Sequence, residues 1–189
     1  MGCIVHAQTV KVEQDAYISA DGEGFKSGSG PGKGSGMVGG GCGGGGHGGC
    51  GADSCGASQN VYGDETQPRE LGSGGGCPGN GHGGGSIGLT VKGVVSCDGA
   101  IRACGISGQQ TGGGAGGSIL VSASAFSGSG TFVASGGAGC CIDGTSNGYG
   151  GGGGRIVLHG DVAGFGGTVF ASGGTANNNG QPGTVQIGP

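Results

Sequence analysis

Glycine is the feature that most constrains this chain, since it supplies 60 of the 189 residues. It occurs in uninterrupted tracts, such as residues 43–46 and 151–154, and these tracts alternate with short apolar runs such as Ile156-Val157-Leu158. Flexible linkers lack such apolar runs, and collagen needs glycine at every third position with abundant proline. With five prolines and no sustained triplet, the glycine is expected to belong to an ordered structure.

The charge pattern argues against several classes of protein. Only 10% of the residues are charged, which is low for a soluble disordered chain. The net charge is −4 and no basic patch is present, so nucleic acid is not expected as a partner. No apolar run approaches the length of a membrane-spanning helix, and no membrane span is expected.

One short motif occurs four times, as "YISADG", "AIRACG", "TFVASG" and "TVFASG". In each copy an apolar residue is followed two positions later by alanine and then by glycine. Residues two apart share one face of a β-strand, so both should occupy equivalent buried positions in every copy. The apolar residues are Ile18, Ile101, Phe132 and Val169, and the alanines are Ala20, Ala103, Ala134 and Ala171.

A second motif, "GGGSIGLTV", "GGSILVSA", "GGGRIVLHG" and "PGTVQIG", places alternating apolar residues after glycine. The repeat unit is therefore a strand, a short turn, a strand and a glycine tract. Each unit has too few apolar side chains to bury a face alone, so neighbouring units must stack. We expect an all-β fold without substantial helix, a β-solenoid or stacked β-sandwich of short strands with ordered, polyglycine-II-like segments.

The whole chain, 1–189, is predicted to be a single glycine-rich repeat domain. Residues 1–26 form the first strand unit, residues 27–85 a Gly/Cys-rich insertion, and residues 86–189 the repeated strand pairs and glycine tracts. Most of the charge in the middle of the chain lies in the insertion.

Nine cysteines in a chain so poor in charge indicate an oxidising compartment. We expect at least one disulfide in an earlier and one in a later group of four. The earlier group is Cys42, Cys50, Cys55 and Cys77, and the later group is Cys97, Cys104, Cys140 and Cys141.

Metal binding is the alternative for part of the insertion. His47, Cys50, Cys55 and His82 are ligand types for zinc, but their spacing matches zinc sites weakly, and disulfides are favoured. Acidic residues of the insertion, Asp53, Asp64 and Glu65, lack the spacing of a calcium loop and are expected to form solvated turns. No metal and no cofactor is predicted.

Nothing in the sequence points to catalysis. No serine lies in a nucleophile elbow, and "GSGGGCPGNG" lacks the Gly-Lys-Ser/Thr ending of a phosphate-binding loop. The chain is therefore not expected to be an enzyme. Arg155 stands where two other copies of the second motif have Ser86 and Ser118. Its guanidinium could bind carbonyls of a glycine layer or a buried carboxylate, or it could face solvent at the start of a strand.

The motifs occur in one order along nearly the whole chain, from "ISADGEG" and "GGGGHGGCGADSC" through "VYGDETQPRELGSGGG" to "GGAGGSILVSASAFSGSGTFVASGGAG" and "GYGGGGGRIVLHG". This order resembles a glycine-rich repeat module of large surface and extracellular proteins in bacteria, plants and protists. The resemblance implies an extracellular or cell-surface location and no catalytic role. The additional cysteines depart from it and suggest extra cross-linking.

Two functional classes follow. The first is a structural or adhesive module of a cell-surface or extracellular assembly, including a filament subunit or stalk, which associates with itself or with neighbouring modules. The second is a module that binds a glycan or another surface. Ice binding is less favoured because the threonines are irregularly spaced.

Overall fold

A computed structural model describes residues 2–37, 41–52, 61–140 and 147–188. Within these ranges the chain forms β-strands and no helix, as its alternating apolar residues lead one to expect. The strands are β1 (Cys3–Ala7), β2 (Val10–Val12), β3 (Tyr17–Ser19), β4 (Gly41–Cys42), β5 (Ser86–Val91), β6 (Val94–Cys97), β7 (Ala100–Arg102), β8 (Ser118–Gly128), β9 (Thr131–Val133), β10 (Asn147–Gly148), β11 (Arg155–Phe165), β12 (Thr168–Phe170) and β13 (Thr184–Gly188).

The strands form three sheets in which every described pairing is parallel. The main sheet has seven strands, in the order β1-β5-β8-β11-β13, and β6 joins β2 to β8 at its side. The second sheet has the order β12-β9-β7-β3, and β10 pairs with β4 separately. Parallel strands need long crossover connections, and glycine-rich segments provide them here.

Successive repeats add strands to the same sheets, so the chain can be divided into layers. We number the layers by their main-sheet strands: layer one contains β1, layer two β5, layer three β8, layer four β11 and layer five β13. In the main sheet, Ile87, Ile119, Ile156 and Val185 occupy equivalent positions in layers two to five. Two residues further along, Leu89, Val121, Leu158 and Ile187 are also in register.

The second sheet repeats one register from β3 to β12. Ile18 pairs with Ile101, Ile101 with Phe132, and Phe132 with Val169. Ile101 and Phe132 are fully buried, whereas Ile18 and Val169, at the two ends of the sheet, are partly buried against the same core. The alanines two residues later also contribute to this core, with Ala103, Ala134 and Ala171 buried and Ala20 partly buried.

The predicted β-solenoid or stacked β-sandwich of short strands with polyglycine-II-like segments is wrong. The chain instead has parallel-strand sheets in a compact arrangement like that of α/β proteins, although the described residues contain no helix. The all-β prediction is therefore only partly matched. One physical reason is strand length, because β8 and β11 each run for eleven residues. Each long strand pairs in two places, and β8 contacts both β5 and β6.

The hydrophobic core lies between the main and second sheets and changes in character along the layers. In layer three, Phe126 and Phe132 pack edge to face with their ring centroids 6.2 Å apart. Phe165 of layer four packs against Phe132 at 5.4 Å in a similar geometry. At the equivalent positions of layer one stand Val10 and Ile18, so the core is aromatic towards its C-terminal layers and aliphatic at its first layer.

Three glycine tracts, at residues 43–46, 112–114 and 151–154, are buried and hydrogen-bonded to one another. The Gly45 N–H donates to the Gly113 carbonyl at 3.0 Å, and the Gly152 N–H donates to the Gly45 carbonyl at 2.8 Å. A Cβ atom on Gly152 would overlap the carbonyl of Gly49. Glycine is required here because two backbones approach more closely than any side chain allows.

Candidate functional site

The site with the richest polar chemistry forms where the insertion crosses the outer face of the main sheet. Residues 61–71 lie over the first positions of β8 and β11. There the Ser118 hydroxyl donates to the Glu70 carbonyl at 2.7 Å. In layer four, the side chain of Arg155, the first residue of β11, contacts the same segment, residues 61–71. These two residues occupy the same register position of neighbouring strands, so the insertion is attached to adjacent layers.

Arg155 makes the more extensive of these attachments. Its side chain is only 2% exposed, and its Nε and Nη2 atoms donate to the Tyr62 carbonyl at 3.2 and 3.0 Å. Nη1 donates to Glu65 Oε1 and to Thr184 Oγ1, each at 3.1 Å. Of the alternatives for this residue, the structure therefore has the buried one. The carbonyl belongs to the insertion rather than to a glycine tract, and the Glu65 side chain is half-exposed rather than buried.

The Tyr62 side chain links the segment that Arg155 contacts to the glycine-rich part of the insertion around Ser73. Its hydroxyl donates to the Leu71 carbonyl and contacts Ser73 Oγ at 2.8 Å. Since the tyrosine proton is used for Leu71, the Ser73 hydroxyl donates to Tyr62 and accepts the Gly32 N–H at 2.9 Å. Burial is the main cause that raises the pKa of Tyr62 to about 12, so the phenol stays protonated at neutral pH.

His47 lies at the centre of the site and is fully buried. Its ring is 4.9 Å from the Tyr62 ring, and Nδ1 lies 2.9 Å from the Gly116 carbonyl. A carbonyl only accepts, so Nδ1 carries the proton and Nε2 is the unprotonated nitrogen. Burial lowers the pKa of His47 from 6.5 to about 4, which keeps the imidazole neutral at physiological pH.

The Nε2 atom of His47 has no hydrogen-bond partner among the described residues. It faces Gly63, where an added Cβ would lie 3.3 Å from Nε2 and 2.9 Å from Glu70 Oε2. Gly63 also has a φ of +86°, a backbone conformation that favours glycine. The insertion therefore brings the Glu70 carboxylate near a buried, neutral imidazole, but the two groups share no hydrogen bond.

The described members of the proposed zinc set, His82 and Cys50, do not join His47 in a metal site. His82 Nδ1 accepts the Ser27 N–H at 3.2 Å, and Cys50 is half-buried with a free thiol. Cys55 and Asp53 lie outside the described residues. Over the described part of the chain, no group of three or more His, Cys, Asp or Glu side chains is arranged to hold a metal ion.

Asp64 has the structural role expected of a turn-forming acid. Its Oδ1 atom accepts the Thr66 N–H at 2.7 Å, the Thr66 hydroxyl at 2.8 Å and the Gln67 N–H at 3.0 Å. The Thr66 hydroxyl is the main cause that lowers the pKa of Asp64. The carboxylate therefore stabilises the exposed turn that precedes the contact of the insertion with Arg155.

One disulfide, between Cys42 and Cys77, lies within the insertion and joins the residue before its first glycine tract to its C-terminal part. Both cysteines belong to the earlier predicted group, and a disulfide is consistent with an oxidising environment. Cys140 is exposed, and Cys141 lies outside the described residues.

Cys50, Cys97 and Cys104 are free thiols, and as disulfide candidates they are wrong. The sulfur atoms of Cys97 and Cys104 lie instead near backbone carbonyls of Gly99 and Val133. Burial raises the pKa of both of these thiols, which lowers their reactivity.

Sequence reasoning identified Arg155 and His47 but missed Tyr62, Ser73 and Ser118. The signal available for Ser118 was its register, since it precedes the second motif at the same place as Arg155. No sequence signal marks Tyr62 or Ser73, because their hydrogen bonds join segments whose proximity is decided by the path of the insertion.

No helix in the described ranges is long and apolar enough to cross a membrane. No protein family, curated protein or solved structure matches this chain. The geometry of the site and of the sheets is therefore the basis for a functional proposal.

Proposed function

We propose that this chain is a non-enzymatic structural and adhesive module of a cell-surface or extracellular assembly, such as a filament subunit or a stalk. The observation that carries the proposal is the buried hydrogen bonding between glycine tracts that are far apart in sequence. Gly45, Gly113 and Gly152 belong to three different tracts, yet they are joined by consecutive backbone hydrogen bonds. A module with such an interior is stiff and offers proteases little extended backbone to bind.

Several further features support the same role. The Cys42–Cys77 disulfide suits an oxidising, extracellular location. The buried polar groups of the site attach the insertion to the main sheet. Arg155, for example, donates its described hydrogen bonds to the Tyr62 carbonyl, to Glu65 and to Thr184. The resemblance to glycine-rich surface repeats, which rests on the ordered motifs, points the same way, with other modules or further copies of the chain as partners.

Limited proteolysis with a broad-specificity protease tests this role, because glycine tracts offer few sites to specific proteases. We expect the tracts at residues 43–46, 112–114 and 151–154 to stay uncut in the native protein and to be cut after reduction and denaturation. Mass mapping of the fragments locates each cut. Rapid cutting inside the tracts of the native protein would show that they are linkers and would overturn the proposal.

Electron microscopy at increasing protein concentration then tests assembly. Filaments or ordered clusters of the native protein support the assembly role. The matched control is the Gly152→Ala variant, whose tract cannot pack as closely. Particles that stay monomeric at every concentration and in the presence of other surface components would contradict the proposed self-association.

A further inference from the structure

The turns that join the main sheet to the second sheet differ in length between layers. In layer one, four residues, 13–16, lie between β2 and β3. Layers two, three and four have only two residues there, at 98–99, 129–130 and 166–167. The Ala16 N–H closes the longer turn on the Glu13 carbonyl at 3.0 Å. Its two additional residues therefore make the turn of layer one project beyond those of the neighbouring layers.

The projecting turn is held against the turn of layer two. A Cβ atom on Gly99 would overlap the carbonyls of Ala16 and Glu13. Because Gly99 has no side chain, the two turns lie in direct backbone contact. Packing therefore fixes where the side chains of the longer turn stand relative to layers two and three.

A cleft lies beside this turn and runs across three layers of the molecule. It is lined by Lys11, Glu13 and Gln14 of layer one, Asp98 of layer two and Ser129 of layer three, and its volume is about 470 Å³. This volume lies within about 300–1,000 Å³, the usual range of small-molecule sites. The cleft is therefore large enough to bind a small polar ligand.

One side of the cleft is held by hydrogen bonds between two turns. Asp98 Oδ1 accepts the Ser129 N–H at 3.0 Å and the Ser129 hydroxyl at 3.3 Å. These bonds join layer two to layer three and restrict the orientation of the Asp98 side chain. The carboxylate is therefore preorganised at the surface of the cleft.

The other side carries an exposed ion pair. Lys11 Nζ lies 3.1 Å from Glu13 Oε1, and the two side chains are 67% and 71% exposed. Exposed pairs of this kind contribute little to stability, so both groups can bind a ligand at small cost. The ammonium also occupies a position beside Glu13 that a bound cation would take. Over the described part of the chain, no group of three or more His, Cys, Asp or Glu side chains is arranged to hold a metal ion.

We infer that this cleft binds a neutral carbohydrate. Each sugar hydroxyl both donates and accepts hydrogen bonds, and the lining residues offer both kinds of partner. The Lys11 ammonium donates, and the carboxylates of Glu13 and Asp98 accept. The Gln14 amide and the Ser129 hydroxyl can do both. The inference rests on the adhesive part of the proposed function, for which it names a class of ligand.

The surroundings of the cleft favour this class of ligand over others. Two carboxylates against one lysine repel phosphate and uronate groups, so nucleic acid and acidic glycans are disfavoured. A protein partner needs about 800 Å² of contact on each side, with apolar anchors at its centre, and all of the lining residues are polar. Tyr17, the first residue of β3, follows the projecting turn and is 69% exposed, so its ring is available to pack on the apolar face of a sugar.

The test uses the full native chain and an array of immobilised tetrasaccharides. The neutral probes are built from glucose, xylose, mannose or N-acetylglucosamine, and the anionic probe is built from galacturonic acid. We expect at least one neutral probe to bind and the anionic probe not to bind. Calorimetry with the same tetrasaccharide in solution then gives its dissociation constant.

Two variants locate the site. Glu13→Ala and Gln14→Ala each remove an exposed side chain of the cleft, and each should weaken binding of the neutral tetrasaccharide at least about fivefold, as the loss of one hydrogen bond does. The matched controls Glu23→Ala and Gln8→Ala remove exposed side chains of the same types outside the cleft and should bind as the wild type does. Slower hydrogen exchange of residues 13–16 in the saturated wild type locates the ligand without any substitution.

Four outcomes would overturn the inference: no binding of any neutral probe, tighter binding of the anionic probe, wild-type affinity in both cleft variants, or protection located elsewhere in the chain. The protease resistance of the glycine tracts depends on none of these results. Failure here is therefore distinguishable from failure of the proposed structural role.

Discussion

Acidification should destabilise the fold through His47, because this residue is buried in its neutral form. In the unfolded chain a histidine takes up a proton near its ordinary pKa of 6.5, whereas in the folded protein the pKa of His47 is about 4. Between these two values the unfolded state binds more protons than the folded state. Stability therefore decreases as the pH falls from about 7 to about 4, and the contribution of His47 is constant below that range.

The size of the effect follows from the two pKa values. Each pH unit between them corresponds to about 1.4 kcal/mol, so lowering the pH across the whole window should cost about 3 kcal/mol of unfolding free energy through His47 alone. The charged and titratable groups around the ring are Arg155, Glu70 and Tyr62. Arg155 disfavours the protonated ring and Glu70 favours it, but desolvation by burial is the largest cause.

The assay is urea unfolding at several pH values between 7 and 4, performed on the wild type and on His47→Gln. Glutamine retains a side-chain donor for the Gly116 carbonyl but does not titrate. Asp64, whose pKa is lowered in the folded state, also loses its stabilising contribution on acidification, at and below the ordinary carboxyl pKa, but it does so in both proteins. We expect the wild type to lose more stability than the variant by about 3 kcal/mol. Equal losses in the two proteins would refute the account of His47 as a buried neutral base.

Gly152→Ala should destabilise the protein by about 1–3 kcal/mol or more in denaturant unfolding, because the added methyl group overlaps a backbone carbonyl. Gly36→Ala, where the added methyl group meets nothing within 4 Å, should change stability by less than about 0.5 kcal/mol, and equal effects would contradict the packing argument. Arg155→Lys should cost about 2 kcal/mol and increase amide exchange in residues 61–71, because lysine cannot keep the paired bonds to the Tyr62 carbonyl; unchanged exchange would contradict the role of the guanidinium. Removing the disulfide by serine substitution at both cysteines should cost about 3–4 kcal/mol, since it closes a loop with a sequence separation of 35 residues; a loss below about 1 kcal/mol would show that the reduced chain is already constrained.

The candidate site was only partly predictable from the sequence. The glycine-flanked position of Arg155 marked it as unusual, but two opposite environments for its side chain were equally consistent with the pattern. The Tyr62 carbonyl that binds it lies 93 residues away in sequence. Only the path of the insertion across the main sheet brings the two together, and no local propensity encodes that path.

The cysteines show the same limit. Cysteine count and composition indicated an oxidising environment, and the Cys42–Cys77 disulfide is consistent with it. The later cysteines could not be assigned from spacing, because disulfide formation depends on the distance and direction of two Cβ atoms in space. Cys97 and Cys104 lie in or next to strands of different sheets, where their thiols are free and contact backbone carbonyls.

The sequence by itself determined which residues occupy equivalent positions in neighbouring strands of a sheet, a set that we call a row. Alternation by two residues assigns each side chain to one face of a strand, and a register shift by one would expose the whole apolar set. The rows that contain Ile101 and Ile156 follow from that local rule. Only the tertiary structure decided how the rows are arranged: the parallel-strand sheets, the long strands β8 and β11, and the path of the insertion over the main sheet. Those features depend on contacts between layers, and a glycine-rich crossover carries no side-chain pattern that specifies where its ends must meet.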